Sequence, residues 1–483
     1  MIRRPPRSTP SNSSAASDVY KRQYQYNDGD PPTTGMTSQL FGFLLAGIYL
    51  LGFSGERMVA FAVGTGVIWL GGIAWLTYRL TSHLMRGEES AWGWPMAAAG
   101  LVVLTGSVQW ACFNGMETGL FTLFALAAMD AFLLRRTGLC AVWLSLAELV
   151  RPEGVVLAGV MWTVTLVEGG LRYRTVLWRQ LAILSAALLV GFVPAVVNWA
   201  LTGTTMASGL RAKSWWLNVP FYGGEIVRSI ARSYRRIVLG LFLGWDSPTR
   251  WYVPPGLLLF SGLGWVALGQ RRCWSALAAT LLWFVGGTLS TATLITALWH
   301  LGRYQIPFVP PMIALAVCGL AFLHFRMARM AHRWQRALPG LGLLFLLTAA
   351  VYSTPRFVDL YRRAIGTVVG QQLTLADWLR EHLPHDARVG VHDTGSLRYL
   401  GERPTYDLIG LTTAGATTPW RHGAGSVFER MEHSPMRPDY FAIYPDAFSI
   451  PYLATTDLFA VEMSLIHISE PTRPLYISYA VFC

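Results

Sequence analysis

Residues 114–134 read NGMETGLFTLFALAAMDAFLL, a polar turn that runs directly into a long apolar stretch. Apolar runs of about 18 residues or more are typical of membrane-spanning helices. Glu117 lies at the start of this run, where burying a charge is costly. The stretch therefore predicts a membrane helix with an acid at its mouth, and the function depends on what surrounds that acid.

The rest of the chain has the same apolar character. Of its 483 residues, 53% are hydrophobic and 14% charged, and the mean hydropathy is +0.38, whereas soluble proteins carry about a quarter charged residues. Proline at Arg151–Pro152 interrupts one pair of short runs. We predict an all-α polytopic membrane protein with about ten transmembrane helices plus a juxtamembrane segment at 38–53. The apolar runs lie near 38–53, 57–80, 94–111, 116–134, 138–150, 153–168, 176–201, 252–269, 274–298, 304–324 and 337–353.

The arginines indicate how the chain is oriented. The formal charge is +12, but the arginines cluster in short loops between apolar runs, as topology signals do, so we expect no nucleic acid partner. The five cysteines show no CxxC spacing, so neither a disulfide framework nor a zinc site is indicated. The positive-inside rule assigns the loops at 79–93, 134–137, 169–179, 269–273 and 324–337 to the cytoplasm, and 24–56, 112–117, 202–251 and everything after about 354 to the opposite face.

The two ends of the sequence differ from the rest. Residues 1–23 are rich in Ser, Pro and Arg and lack the apolar region of a secretory signal, and residues 464–483 break off within an element. Both resemble translated sequencing-adapter read-through, with a disordered tail at each end as the alternative. We therefore expect the biological sequence to run from about Tyr24 to Met463 and to be truncated at both ends.

From residue 370 onward the hydrophobic period changes. QQLTLADWLREHLP has helical spacing, and short strand-like segments follow it. This alternation predicts a small extracytoplasmic α/β domain at 354–463, after a transmembrane module at 57–353. Asp393 and Asp407, at two of the strand-like segments, suit capping and turn roles. The four strand segments are ARVGVHD (387–393), TYDLIG (405–410), PDYFAIYP (438–445) and LFAVEM (458–463).

Several ionisable residues fall at the membrane boundary of the extracytoplasmic face. Such groups are costly at that depth, so they tend to mark substrate paths or paired sites. Carboxylates with Arg and Lys in one cavity suit an anionic, phosphate-bearing substrate, because the acids supply a base and the cations neutralise charge. The acids are Asp28, Asp30, Glu117, Glu153 and Asp246, and the cations are Arg151, Arg211, Lys213 and Arg303, the last followed by Tyr304.

These residues also have structural interpretations. Glu117 suits a first-turn acid favoured by the helix dipole, and the aspartates in YNDGDPP suit a turn. Arg151 suits snorkelling or local pairing with Glu148 or Glu153. The two cations in GLRAKSWW suit lipid headgroups at the membrane interface. The residue types alone leave these alternatives open.

Five segments stand out when read in order: YNDGDPPTTGMTSQLFGFLLA (26–46), NGMETGLFTLFALAAMDAFLL (114–134), LVRPEGVVLAG (149–159), GRYQIPFVPPMIALA (302–316) and VGVHDTGSLRYLGERPTYDLIGLTT (389–413). Together they resemble the GT-C membrane glycosyltransferases, and in particular bacterial members such as the arabinofuranosyltransferases and their relatives. The similarity covers most of residues 24–463. The order and spacing of the segments carry the resemblance more than any one of them.

The resemblance implies a reaction. In that superfamily a polyprenyl-phosphate-linked sugar enters from the outer leaflet, and the sugar passes to a glycan, lipid or protein acceptor on the outer face. Glu117 would lie in the second outer loop. It would be an acidic residue of the catalytic site or, as in some members, a ligand of a divalent metal. The residues that would bind the donor phosphate are Arg151, Arg211, Lys213, Arg303 and Tyr304.

The resemblance also implies what the sequence as written lacks. The family's first helix and the acid directly after it should precede Tyr24. Residues 24–56 would then be the remainder of the first outer loop with its juxtamembrane element. Asp28 and Asp30 fall late in that loop and are the remaining catalytic candidates there. We expect the main acidic residue to be lost upstream and the sequence as written to be inactive.

Three functional classes stay open. A multi-pass glycosyltransferase of the bacterial inner (plasma) membrane, acting in the cell envelope, fits the trailing α/β domain. A transporter or lipid flippase for an anionic substrate would suit charges within the bundle, although no inverted repeat relates the two halves. A non-catalytic membrane scaffold, in which the same charges only pair with each other, is the third.

Overall fold

Helices form most of the structure, a computed structural model that describes residues 24–85, 92–169, 174–244, 252–328 and 333–443. Asp246, the strand predicted at 458–463 and both ends of the sequence lie outside these ranges. Within the described ranges, the first eleven helices are α1 Gln39–Leu50, α2 Glu56–Leu84, α3 Gly93–Leu104, α4 Gly106–Phe113, α5 Thr118–Leu133, α6 Thr137–Val150, α7 Gly154–Gly169, α8 Arg174–Val190, α9 Val193–Thr202, α10 Ser208–Lys213 and α11 Gly223–Arg235.

The second half adds nine helices and three strands to the described residues. The helices are α12 Leu257–Gln270, α13 Trp274–Ala292, α14 Trp299–Gly302, α15 Val309–Met327, α16 Arg333–Thr367, α17 Thr374–His382, α18 Thr394–Gly401, α19 Thr417–His422 and α20 Ala424–Glu432. The strands are β1 Val389–Val391, β2 Thr405–Asp407 and β3 Tyr440–Ala442. Trp215–Leu217 and Arg303–Phe308 are 3₁₀ helices, and Arg236–Phe242 and Val368–Leu373 are π-helical.

The apolar helices support the membrane class predicted from the sequence. Within the described ranges, five helices are long and apolar enough to cross a membrane, or six if α3 and α4, which meet at 61°, form one span. Five shorter apolar helices have 10–17 residues. The count of about ten spans therefore stays a prediction. The five long segments are Arg57–Leu84, Leu177–Thr202, Trp274–Ala292, Trp299–Met327 and Trp334–His382.

Helix α15 is the centre of the bundle, and every residue from 309 to 321 is buried. It packs closely on α12, because a Cβ added at Gly264 would lie 2.2 Å from the carbonyl oxygen of Leu315. Ser261 of α12 also donates a hydrogen bond to the carbonyl oxygen of Met312, at 2.7 Å. Small residues at such crossings let two backbones approach each other. This packing fixes the position of Arg303 and Tyr304, which precede α15.

Loop contacts divide the polar segments into two groups. Segments that the arginine distribution assigns to the same face contact one another in the structure. Which group faces the cytoplasm stays a prediction. The predicted extracytoplasmic group is joined by the Asn27–Thr405, Thr34–Ser208 and Phe113–Tyr361 hydrogen bonds, and the predicted cytoplasmic group by Leu84–Arg271 and Gln270–Arg326.

The C-terminal part of the described chain contains a three-stranded parallel sheet in the order β2-β1-β3. Parallel sheets are normally covered on both faces. On one face Val389 and Val391 pack with residues of α17 and α18, and on the other Tyr406 packs with residues of α20. The strands lie within three of the four segments predicted as strands.

The boundary predicted at residue 354 is not a break in the structure. Helix α16 runs from Arg333 to Thr367 and passes through Pro339 and Pro355. The sequence indicates a boundary there because the apolar run ends near 353. A helix does not have to end where its surroundings change from lipid to water, so one continuous helix is compatible with a domain boundary near 354, which stays a prediction.

Candidate functional site

Glu117 lies in the turn between α4 and α5, as its sequence predicts. Gly115 adopts a positive φ of 71° there, and the Asn114 side chain accepts a hydrogen bond from the Met116 amide at 2.9 Å. Glu117 occupies the N-cap position of α5, but its side chain does not cap the helix. Instead its Oε1 lies 3.9 Å from Nη1 of Arg151. Glu117 therefore directly precedes the first turn of α5 rather than lying within it, and its carboxylate is part of a charged cluster.

Arg151 lies in the break between α6 and α7. Its backbone is extended, with φ −150° and ψ 141°, because proline at 152 disfavours the helical conformation of the preceding residue. The side chain is only 4% exposed, and Nη2 and Nε donate to the two carboxylate oxygens of Glu153 at 2.7 and 3.3 Å. Of the two local partners that the sequence left open, Glu153 forms the pair, whereas Glu148 does not.

Arg303 and Tyr304 close the site from the start of α15. The Arg151 guanidinium lies 4.6 Å from the ring centroid of Tyr304 and 5.5 Å from that of Phe121. Arg303 lies 5.1 Å from the same Tyr304 ring and donates to its hydroxyl at 3.3 Å. Cations over aromatic faces are stabilised electrostatically. These contacts define the Arg151 cluster: Glu117, Arg151, Glu153, Arg303 and Tyr304.

Lys213, the last residue of α10, is close to the cluster. It interacts electrostatically with Tyr304. Its carbonyl oxygen accepts a hydrogen bond from Ile295 at 2.7 Å, and the Trp215 amide donates to Thr293 at 2.9 Å. Two backbone hydrogen bonds therefore join the segment that carries Lys213 to the one that leads to Arg303. With Lys213, the site holds three cations and two carboxylates, a formal charge of +1.

One nitrogen of the cluster is available to a ligand. Nη1 of Arg151 is buried and has no hydrogen-bond partner among the described residues. Its nearest acid, Glu117, is at 3.9 Å, too far for a hydrogen bond. Buried polar groups are normally satisfied, and an exception calls for an explanation such as a bound group. An anionic oxygen between Arg151 and Arg303 would meet this requirement.

Three of the residues predicted for the site lie elsewhere. Asp30 forms a bidentate ion pair with Arg388 at 2.7 and 2.9 Å, and Asp28 is exposed in the adjoining turn. Arg211 lies 3.4 Å from the hydroxyl of Thr418. The segment that carries the two aspartates packs on the C-terminal sheet, so the structure does not bring them to Glu117. No local pattern in the sequence indicates this packing.

The side chains present do not suit the divalent metal that the resemblance implies. Across the described ranges, no group of three or more His, Cys, Asp and Glu side chains could hold a metal ion. The two acids of the cluster, Glu117 and Glu153, both face the Arg151 cation. The Arg151 guanidinium already supplies the positive charge that these two carboxylates face, so no metal is assigned here.

A cavity of about 250 Å³ opens between the end of α5, the start of α6, the end of α7 and helix α8, and its lining includes Arg135, Glu168 and Gln180. Nη1 and Nη2 of Arg135 donate to Glu168, and Ser275 donates to the same carboxylate at 2.6 Å. None of the residues predicted for the site lines this cavity. The paired charges leave it without excess charge for an anionic substrate.

Known structures share this fold. ArnT from Cupriavidus metallidurans, solved with bound undecaprenyl phosphate, has 15% sequence identity and a TM-score of 0.51, and the match covers 94% of this chain and 96% of ArnT. The oligosaccharyltransferase of Archaeoglobus fulgidus, solved with a tethered acceptor peptide, has 13% identity and a TM-score of 0.49, covering 82% of this chain; the chain spans 59% of that protein. ArnT is a GT-C glycosyltransferase. The fold that the GT-C resemblance implies is therefore confirmed by the match to ArnT.

Sequence comparison adds one match. Residues 363–478 match a family described as a domain of unknown function (DUF8728). The match begins near the end of α16, includes the parallel sheet, and extends beyond the described residues. No curated protein matches the chain.

Proposed function

We propose that the chain is a membrane glycosyltransferase that transfers a sugar from a polyprenyl-phosphate donor to a glycan, lipid or protein acceptor on the extracytoplasmic face. The supporting observation is the Arg151 cluster, in which buried cations and carboxylates meet at the mouth of an apolar hairpin. The fold shared with ArnT, which was solved with undecaprenyl phosphate, is consistent with this donor class. The arginine distribution supports the assignment of the face.

In this proposal the cations bind the donor phosphate. Arg151 would donate from its free Nη1, while Arg303, which contacts the Tyr304 ring, and Lys213, which interacts electrostatically with Tyr304, would add positive charge. A buried site with a formal charge of +1 favours an anion. The same groups would stabilise the negative charge that develops on the phosphate as the bond to the sugar breaks.

Glu117 is proposed as the general base that activates the acceptor hydroxyl. The acceptor hydroxyl oxygen would attack the anomeric carbon, the bond from that carbon to the phosphate oxygen would break, and Glu117 would take the hydroxyl proton. Polyprenyl phosphate would be the leaving group. Asp28 and Asp30 are not assigned a role in this step, because Asp30 is bound to Arg388.

The first test is binding of undecaprenyl phosphate, measured by native mass spectrometry of the detergent-solubilised protein. Lys213→Gln should weaken binding by about 10- to 100-fold, because a charged hydrogen bond to phosphate contributes about 1.5–3 kcal/mol. Arg228→Gln is the matched control, since Arg228 is exposed and pairs with Glu225. If the unmodified protein does not bind this lipid, or both variants bind equally, the donor assignment is wrong.

The second test separates an enzyme from a transporter. In protein that transfers sugar, Glu117→Gln should lower kcat by about 10²–10⁴, the usual contribution of a general base, without changing expression. Unchanged transfer would make Glu117 structural. Movement of the lipid across proteoliposomes in the absence of any acceptor, without transfer when acceptor is added, would favour the transporter instead.

A further inference from the structure

Helix α10, which carries Lys213 at its end, is held in place on three sides. On the first side it meets the segment after Tyr24. The Ser208 amide donates to the hydroxyl and carbonyl oxygens of Thr34 at 3.0 and 3.2 Å. A Cβ added at Gly209 would lie 3.2 Å from Thr37. The start of the helix is therefore fixed by backbone contacts.

The second side is the C-terminal domain, which contacts the end of α10 through Arg421 of α19. Arg421 donates to the carbonyl oxygens of Ala212 and Ser214 at 3.3 and 3.1 Å, and to the Asn218 side chain at 2.6 Å. The two carbonyl oxygens belong to the residues on either side of Lys213. One side chain of the C-terminal domain thus holds the backbone at Lys213 from both directions.

The third side is the segment before α14. The Lys213 carbonyl oxygen accepts from Ile295, and Ser214 and Leu294 form an antiparallel bridge. This segment continues to Arg303 and Tyr304. Lys213 therefore lies between the domain that carries Arg421 and the segment that leads to the Arg151 cluster.

We propose that Arg421 is a positioning residue of the donor site: it holds the 212–214 backbone so that the Lys213 ammonium lies beside Tyr304 when the donor phosphate arrives. The inference rests on the proposed function. Lysine has a long flexible side chain, so fixing its backbone reduces the entropy lost when it binds a phosphate. The C-terminal domain, which has no residue in the cluster itself, would contribute to donor affinity in this way.

The geometry requires arginine at this position. Three acceptors in different directions are contacted by one planar guanidinium with five N–H donors. A lysine carries a single nitrogen and is not equivalent at a site with several fixed acceptors. Arg421→Lys should therefore recover only part of the binding that Arg421→Gln loses.

The sequence offers a direct probe, because Lys213 and Lys21 are its only lysines. Acylation of the Lys213 amine can be followed by mass spectrometry of its peptide, with and without undecaprenyl phosphate. In the unmodified protein the lipid should slow the acylation. In Arg421→Gln we expect about tenfold weaker binding and a corresponding loss of protection. Arg380→Gln, an exposed position in the same domain, is the control.

A double-mutant cycle decides whether Arg421 acts through Lys213. In the Lys213→Gln background, Arg421→Gln should cause no further loss of binding. An equal loss in both backgrounds, or unchanged binding in Arg421→Gln, overturns the inference. If the unmodified protein does not bind the lipid at all, it is the proposed function that fails. Asn218→Ala removes one acceptor of Arg421 and leaves the C-terminal domain unchanged, so it tests the inference even if Arg421→Gln does not fold. We expect a smaller loss of lipid binding in this variant. Full lipid binding by Asn218→Ala counts against the inference.

Discussion

Replacing Asp30 tests whether this aspartate is structural or catalytic. Its carboxylate accepts two hydrogen bonds from Arg388, at 2.7 and 2.9 Å, and one from Asn27 at 2.7 Å. The two charged side chains are 13% and 17% exposed, so solvent screens the pair only in part. Hydrogen bonds to charged groups contribute about 1.5–3 kcal/mol, and fully exposed pairs about 0–1. Asp30→Asn should therefore destabilise the packing of this segment by about 2 kcal/mol.

Amide hydrogen exchange measured by mass spectrometry checks this value. A loss of about 2 kcal/mol corresponds to roughly 30-fold faster exchange through local opening at β1 and β2. Asp28→Asn, two residues away and exposed, should leave exchange unchanged. Arg388→Gln should add little to Asp30→Asn, because the two residues share one interaction. Unchanged exchange in Asp30→Asn together with lost sugar transfer would refute the structural role and restore Asp30 as a catalytic candidate.

Two further predictions concern helix packing and pH. Gly264→Ala should lower Tm in detergent by the equivalent of about 1–3 kcal/mol, because the added Cβ meets the Leu315 backbone. Gly262→Ala in the same helix is the control: its added Cβ meets nothing within 4 Å, so the change should be neutral or stabilising. Burial, with a contribution from Asp407, raises the pKa of Asp393 from 3.8 to about 6. The folded state thus holds this proton more tightly, so the contribution of Asp393 to stability is largest below pH 4 and falls by about 3 kcal/mol as the pH rises to 6 and above. Asp393→Asn should remove that fall in Tm measurements between pH 4 and 7; an identical pH dependence in both proteins would contradict the assignment.

The parts of the site that the sequence predicted are those with local signals. Glu117 at the start of an apolar run and Arg151 before Pro152 are visible as costly charges beside helix boundaries. Arg303 and Tyr304 lie at the start of the apolar run at 304–324, which the sequence predicts to span the membrane. The free-energy cost of burying a charge and the location of that charge beside a helix boundary depend only on a short segment. Both can therefore be recognised from the sequence without the fold.

The parts that were missed depend on residues far apart in sequence. Asp30 and Arg388 are separated by 358 positions, and nothing near either residue indicates the other. The same holds for Arg421 and the backbone on either side of Lys213. An aspartate in a Gly-Pro turn looks the same whether it binds a substrate or another domain, so only the fold distinguishes the two.

Helix geometry was also only partly visible. The run at 94–111 is continuous in hydropathy, yet Thr105 is extended and divides it into α3 and α4. A Cβ added at Gly106 would lie 2.3 Å from the side chain of Phe357. The bend is therefore associated with the packing of an aromatic residue from α16, a contact that the hydropathy of the run does not encode.

The Asn27 side chain has a consequence for how the protein behaves among copies of itself. Its amide accepts a hydrogen bond from the Thr405 amide at 2.9 Å and donates to the Thr405 carbonyl oxygen at 2.8 Å. Thr405 lies on β2, an outer strand of the sheet, and these two backbone groups are on the side away from β1. Unpaired strand edges are templates on which other chains add strands and aggregate. Asn27 occupies this edge from within the same molecule, so the Thr405 backbone is not available for strand addition by another chain.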